Sequence, residues 1–122
     1  MEVPAELLEV EPYCVVTTWG RAAGRRYTAE LWCVPADGGV YLMSSSGGLT
    51  QWCMNLTAEG EGVVRIGERS WLARAAVLDP REPRRAQALD RFRDRYDPEG
   101  TDRTASWAHS ATVIHMVFVR EL

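Results

Sequence analysis

The feature that most constrains this chain is how its strand-like segments are joined. β-Branched and aromatic runs at Tyr13–Trp19, Tyr27–Val34, Val40–Ser44, Gly62–Ile66, Ser70–Leu78 and Thr112–Arg120 read as six strands. Most neighbours are separated by only a few turn residues. Pro35-Ala36-Asp37-Gly38-Gly39 contains Asp-Gly, a strong hairpin signal, and Gly67-Glu68 divides another pair. Parallel strands need crossovers of roughly a dozen residues or more, and such segments are mostly missing. The expected architecture is therefore mainly β (α+β): a small, largely antiparallel, six-stranded barrel with two or three helices at its ends.

The helices show in a change of period. Leu49, Trp52, Cys53 and Leu56 recur at i, i+3, i+4 and i+7, which predicts a helix from Leu49 to Ala58. Pro83 suits a first helical turn, and Leu89, Phe92 and Tyr96 form one stripe, predicting a second helix to about Tyr96. Residues 4–10 suggest a short third helix through Leu7 and Leu8. Within Tyr27–Val34, Tyr27, Ala29, Leu31 and Cys33 take one face, while Thr28, Glu30, Trp32 and Val34 take the other.

Composition excludes several classes. The 122 residues suit one domain, 1–122, and 46% apolar with 25% charged residues is ordinary for a globular chain. A net charge of −3 argues against broad affinity for nucleic acid. No uncharged apolar run approaches the roughly 20 residues of a transmembrane helix. The acidic opening, Met1-Glu2-Val3-Pro4-Ala5-Glu6, lacks the pattern of a secretory signal, so the expected address is cytoplasmic. Cys14, Cys33 and Cys53 read as reduced, buried, non-catalytic hydrophobes, with no neighbouring His or Lys in sequence to lower a pKa. Two histidines, His109 and His115, make a dedicated metal site improbable.

Two loops have the chemistry of anion sites. All fourteen basic residues are Arg, and Arg21, Arg25 and Arg26 cluster between two strands beside Gly20 and Gly24. Guanidinium forks bind oxyanions bidentately, and bare backbone amides add to the cradle. Ser44-Ser45-Ser46-Gly47-Gly48 precedes a predicted helix N-terminus, where unpaired N–H groups and the helix dipole favour an anion. A hairpin tip and a serine-rich cap are the plain alternatives for these two segments. Trp52 and Asn55 share a helical face and could meet a flat heterocycle, although a Trp on a helical stripe is more often core. The six Arg between positions 81 and 95 are interleaved with Glu82, Asp90 and Asp94, which reads as a solvated, ion-paired face.

The ordered series Thr17-Thr18-Trp19-Gly20-Arg21-Ala22-Ala23-Gly24-Arg25-Arg26, Leu31-Trp32, Ser46-Gly47-Gly48 and Trp52-Cys53-Met54-Asn55-Leu56 resembles the deazaflavin-dependent nitroreductase and quinone reductase family. That family consists of split β-barrels related to pyridoxamine-phosphate-oxidase-like flavin-binding proteins. The resemblance implies a redox protein holding the 8-hydroxy-5-deazaflavin coenzyme F-420, or FMN as in its cousins. It implies that Arg21, Arg25, Ser45, Ser46, Gly47 and Gly48, with Arg26 adding charge, hold the cofactor's phosphate and tail. Trp52, Asn55 and Leu56 would flank the ring system, and Tyr96 and Trp107 would line the acceptor side.

The expected activity is hydride transfer from the reduced cofactor to a flat, electron-poor acceptor such as a quinone, nitro compound or enone. A homodimer is expected. The alternative is a non-catalytic split barrel that binds or stores a flavin, haem or lipid-like ligand.

Overall fold

The computed structural model describes residues 1–19, 25–45, 48–100 and 110–122. Its elements follow one another as α1 (Ala5–Val10), β1 (Cys14–Trp19), β2 (Arg26–Leu31), β3 (Cys33–Ala36), β4 (Gly39–Ser44), α2 (Gln51–Glu59), β5 (Glu61–Ile66), β6 (Arg69–Val77), α3 (Pro83–Tyr96) and β7 (Thr112–Glu121). All seven strands lie in one sheet in the order β2-β1-β5-β6-β7-β4-β3, and every pairing is antiparallel.

The strand count is seven, not the expected six, because Tyr27–Val34 divides at Trp32. β2 occupies one edge of the sheet and β3 the other, with Trp32 alone between them in the chain. Six strand spacings of ~4.8 Å would separate the edges of a flat sheet, whereas one residue reaches at most ~3.6 Å. The sheet therefore rolls into an antiparallel split barrel whose seam is stitched at Trp32. Pro35 and Ala36, expected in a turn, extend β3, and the turn itself narrows to Asp37-Gly38. Proline is tolerated there because β3 is an edge strand.

Antiparallel partners point to the same side of a sheet, so the register sorts the side chains into two cores. Inside lie Cys14, Val16, Cys33, Val40, Leu42, Val64, Ile66, Trp71, Ala73, Ile114, Met116 and Phe118. Trp52, Cys53 and Leu56 of α2 join this cluster. Outside, α3 lays Ala88, Leu89 and Phe92 over Val34, Ala36, Tyr41 and Val113. The alternation read from Tyr27 to Val34 holds here: Ala29, Leu31 and Cys33 belong to the inner cluster, Trp32 and Val34 to the outer. α3 thus covers a sheet face rather than a barrel end. Leu49 departs from its expected stripe, being 76% exposed, since the helix begins only at Gln51.

Gly39 shows how tightly the sheet closes. A Cβ there would land on the Met116 carbonyl oxygen of the neighbouring strand. Only glycine lets β4 and β7 approach so closely.

Candidate functional site

Arg25 precedes β2 and Arg26 opens it opposite Trp19. Both are exposed, and neither forms an ion pair among the described residues. Arg21 lies outside the described residues, as do Ser46, Gly47 and Trp107. Ser45 is exposed, and its carbonyl accepts a hydrogen bond from Ser110 Oγ at 3.2 Å. Gly48 has φ +87°, a conformation that favours glycine, and a Cβ there would sit 3.2 Å from Thr112 Oγ1, so the hydroxyl would have to give way by a few tenths of an ångström.

The N-terminus of α2 stands beyond Gly48. Thr50 makes no side-chain cap, and its hydroxyl instead lies 3.3 Å from Ser44 Oγ. No acidic side chain occupies the first turn. An anion is therefore neither replaced by a cap nor repelled by a carboxylate there.

A polar chain ties these two segments together. The Asn55 amide donates to Thr18 Oγ1 at 3.0 Å, and Thr18 Oγ1 lies 3.5 Å from the Tyr27 carbonyl to which it donates. Gln51 Nε2 donates to Asn55 Oδ1 at 3.2 Å. Both Thr18 and Asn55 are fully buried. The chain runs from the arginine end of β2, through β1, to the first turn of α2. Thr18 and Gln51 were not singled out from sequence. The available signal was a Thr at an inward position of β1, in register with Cys14 and Val16.

The three residues expected to flank a ring system occupy core positions: Trp52 is 7% exposed, while Asn55 and Leu56 are fully buried. Tyr96 is also committed. Its hydroxyl accepts from the Cys33 amide at 2.9 Å and lies 2.7 Å from the Pro12 carbonyl and 2.9 Å from the Cys33 carbonyl. Its ring stacks on Trp32 with centroids 4.4 Å apart.

An open groove of about 620 Å³ runs between β3 and α3, lined by Glu2, Val34, Pro35, Asp37, Arg91 and Asp94 among others. It contains none of the expected cofactor residues, and its lining sets three carboxylates against the guanidiniums of Arg91 and Arg95. Among the described residues no His, Cys, Asp and Glu side chains gather as a metal site. His115 is buried with Nε2 2.7 Å from the Asp37 carbonyl and Nδ1 3.4 Å from Arg84 Nη1. A guanidinium only donates, so Nδ1 accepts from Arg84 and Nε2 is the nitrogen that donates to the Asp37 carbonyl. The three cysteines are free and buried. A cationic neighbour invisible in the local sequence does reach two of them, since the charge of Arg95 acts on Cys14 and Cys33.

No described helix is long and apolar enough to cross a membrane. No curated protein matches the chain in sequence. Among solved structures it is similar to a haem-storage protein from Vibrio cholerae (12% identity, TM-score 0.78, covering 94% of this chain and 87% of that one). A conserved hypothetical protein from Mycobacterium tuberculosis superimposes with TM-score 0.74 at 17% identity, covering 96% and 79% of the two chains. A putative pyridoxamine 5′-phosphate oxidase from Listeria innocua gives 0.71 at 14%, covering 96% and 91%. These likenesses establish the split-barrel fold. The family profile of F420H2-dependent quinone reductases matches residues 3–113, nearly the whole length, and carries the assignment beyond fold. On that match the chain belongs to the F420H2-dependent quinone reductase family.

Proposed function

We propose that this chain is a cytoplasmic oxidoreductase using reduced coenzyme F-420, with FMN as the alternative cofactor, to reduce a flat, electron-poor acceptor such as a quinone, nitro compound or enone. The observation that carries this reading is the family match across residues 3–113. The donor set fits a phosphate-bearing coenzyme: exposed Arg25 and Arg26, the uncapped first turn of α2, and a buried hydrogen-bond chain joining them. When bound, the reduced deazaflavin supplies the hydride.

The chain's own residues bind and position. Arg25 and Arg26, with Arg21, neutralise the phosphate. Ser45, Ser46, Gly47 and Gly48 offer hydroxyls and amides to the coenzyme's tail. Trp52, Asn55 and Leu56 act from the core, holding the first turn of α2 against β1. Tyr96 anchors backbone, which leaves Trp107 to line the acceptor side.

The same reading includes a homodimer. On the outer face of β1, β5, β6 and β7, Val15, Thr17, Val63 and Leu72 are half-buried, and Val117 and Val119 are 37% and 42% exposed. Among the described residues no helix covers the outer side of β1, β5 and β6 as α3 covers β3, β4 and part of β7, and a second copy would bury this apolar strip.

Titration with coenzyme F-420, FMN and haem, followed by Trp fluorescence, tests the proposal. Deazaflavin should quench at micromolar concentration, and its reduced form should be reoxidised by a soluble naphthoquinone only when protein is present. Arg25→Ala should weaken binding about ten- to a hundredfold, the equivalent of roughly 1.5–3 kcal/mol for a charge-assisted contact. Haem binding without deazaflavin binding would overturn the reading in favour of the storage alternative.

A further inference from the structure

The inner face of β2 changes character along its length. Its register with β1 sets Leu31 opposite Cys14, Ala29 opposite Val16 and Tyr27 opposite Thr18, so all three β2 side chains lie on the inward side of the sheet. Leu31 and Ala29 are half-buried against the inner cluster, whereas Tyr27 is 42% exposed. In a small barrel the inward side chains ordinarily fill the interior. The barrel is therefore open at the Arg26 end of β2, and Tyr27 forms part of its lip.

That lip adjoins the site described above. Arg25 and Arg26 directly precede Tyr27, within about 7 Å along an extended chain. Thr18, the cross-strand partner of Tyr27, is fully buried, and the Asn55 amide donates to its Oγ1 at 3.0 Å. Tyr27 and α2 thus flank one buried threonine, and α2 lies against both β1 and β2. The Tyr27 carbonyl, 3.5 Å from Thr18 Oγ1, ties the backbone of this residue to the same polar chain. The other described aromatics are engaged or lie elsewhere. Trp52 is in the core, Tyr96 is stacked on Trp32, and Tyr13 precedes β1 at its opposite end. Trp19 pairs with Arg26, one position out of step with Thr18, and so faces outward. Among the described residues Tyr27 is the exposed aromatic on the inner side of this end.

We propose that Tyr27 is the ring-binding residue of the coenzyme site, giving a flat conjugated ring system a face to stack on at the barrel mouth. This rests on the reading that the arginine end of the barrel holds the coenzyme. The core placement of Trp52 leaves the ring without its expected aromatic partner, and Tyr27 supplies one. Its side chain has only two rotatable angles to fix, and it offers an apolar face with a polar tip left in water, so covering it with a planar ring costs little order. Arg25 and Arg26 neutralise the phosphate while Tyr27 meets the ring. Neighbouring residues of one segment thereby read the two ends of the coenzyme.

The test titrates the full-length protein with coenzyme F-420 and FMN, each beside its phosphate-free counterpart, 8-hydroxy-5-deazariboflavin and riboflavin, and follows the fluorescence of the ligand. Stacking on Tyr27 should quench the bound ring. Tyr27→Leu should weaken binding of whichever ring the wild type takes up by about three- to tenfold, with or without the phosphate, and the quenching should fall. Tyr27→Phe should restore both. Arg25→Ala should weaken the phosphorylated form alone. Tyr27 is exposed on an edge strand, so its replacement should leave the circular dichroism spectrum unchanged. If Tyr27→Leu disturbs that spectrum, Tyr27→Thr, whose side chain suits a strand, must show the same loss. Unchanged affinity in the folded variant, or a loss confined to the phosphorylated forms, would overturn the proposal while the coenzyme site stands. Wild-type protein that binds none of the four ligands would remove the coenzyme reading and this proposal together.

Discussion

Three parts of the chain converge on the Tyr96 hydroxyl: the segment before β1, the start of β3 and the end of α3. One phenol satisfies an amide and faces two carbonyls there. Tyr96→Phe keeps the stack on Trp32 but strands those groups. It should cost about 1–3 kcal/mol, read from denaturant midpoints at neutral pH. Burial pushes the phenol up to about 12, so the native state holds this proton more tightly than the unfolded chain does. The stability it contributes is complete below the unfolded value near 10 and is lost as pH rises to about 12. The difference between wild type and Tyr96→Phe should therefore shrink over that window. Gly39→Ala tests a different constraint, backbone contact with Met116. It should destabilise by about 1–3 kcal/mol or more, since neither strand can retreat without losing its register.

At the level of elements, α3 takes the place of a missing strand at the β3 edge. Tyr96 covers the outward amide and carbonyl of Cys33, and Arg91 Nη1 donates to the Pro35 carbonyl at 2.8 Å. Pro35 has no N–H to expose. This is how the sheet blunts an edge that would otherwise template aggregation. The sequence suggests that the arginines here form an ion-paired face, and among the described residues Arg81, Arg84 and Arg93 pair with Asp79, Glu82 and Asp90. Arg85, Arg91 and Arg95 instead donate to the carbonyls of Ala111, Pro35 and Glu11. The two kinds should separate in mutagenesis. Arg93→Ala removes an exposed pair and should change stability by less than about 0.5 kcal/mol, falling further with salt. Arg91→Ala should cost about 0.5–1.5 kcal/mol and speed amide exchange along β3.

For the whole molecule, the sheet's outer surface is treated unevenly. α3 seals β3, β4 and part of β7, while the strip containing Val117 and Val119 stays open. The expected sedimentation mass at micromolar concentration is twice the 13.7 kDa of one chain. Val119→Asp should reduce it to the single-chain mass without unfolding the barrel. If the wild type sediments near 13.7 kDa, the strip is plain surface and the dimer is withdrawn.

Much of this was written locally. The antiparallel plan followed from turns too short for crossovers, and the stripe Leu89, Phe92, Tyr96 marked α3 because a helix repeats its face every 3.6 residues. The alternation through Tyr27–Val34 correctly separated the inner cluster from the outer. What it could not show was the break at Trp32, because the residues on either side keep the same period while the chain passes from one sheet edge to the other. That break is a demand of closure, set by where β4 and β1 already stand. The candidate site divides the same way. Arg25 and Gly48 read as loop residues and lie outside the strands, whereas Arg26, read as part of the same loop, opens β2. Thr18 and Asn55 lie 37 residues apart, and the hydrogen bond that joins their segments exists only once α2 is docked on β1. Arg95 is distant in sequence from Cys33, and only the packing of α3 brings its charge to the thiols. Local periodicity and side-chain chemistry determine which elements form; burial and charge pairing over long sequence separations are decided by the closed barrel alone.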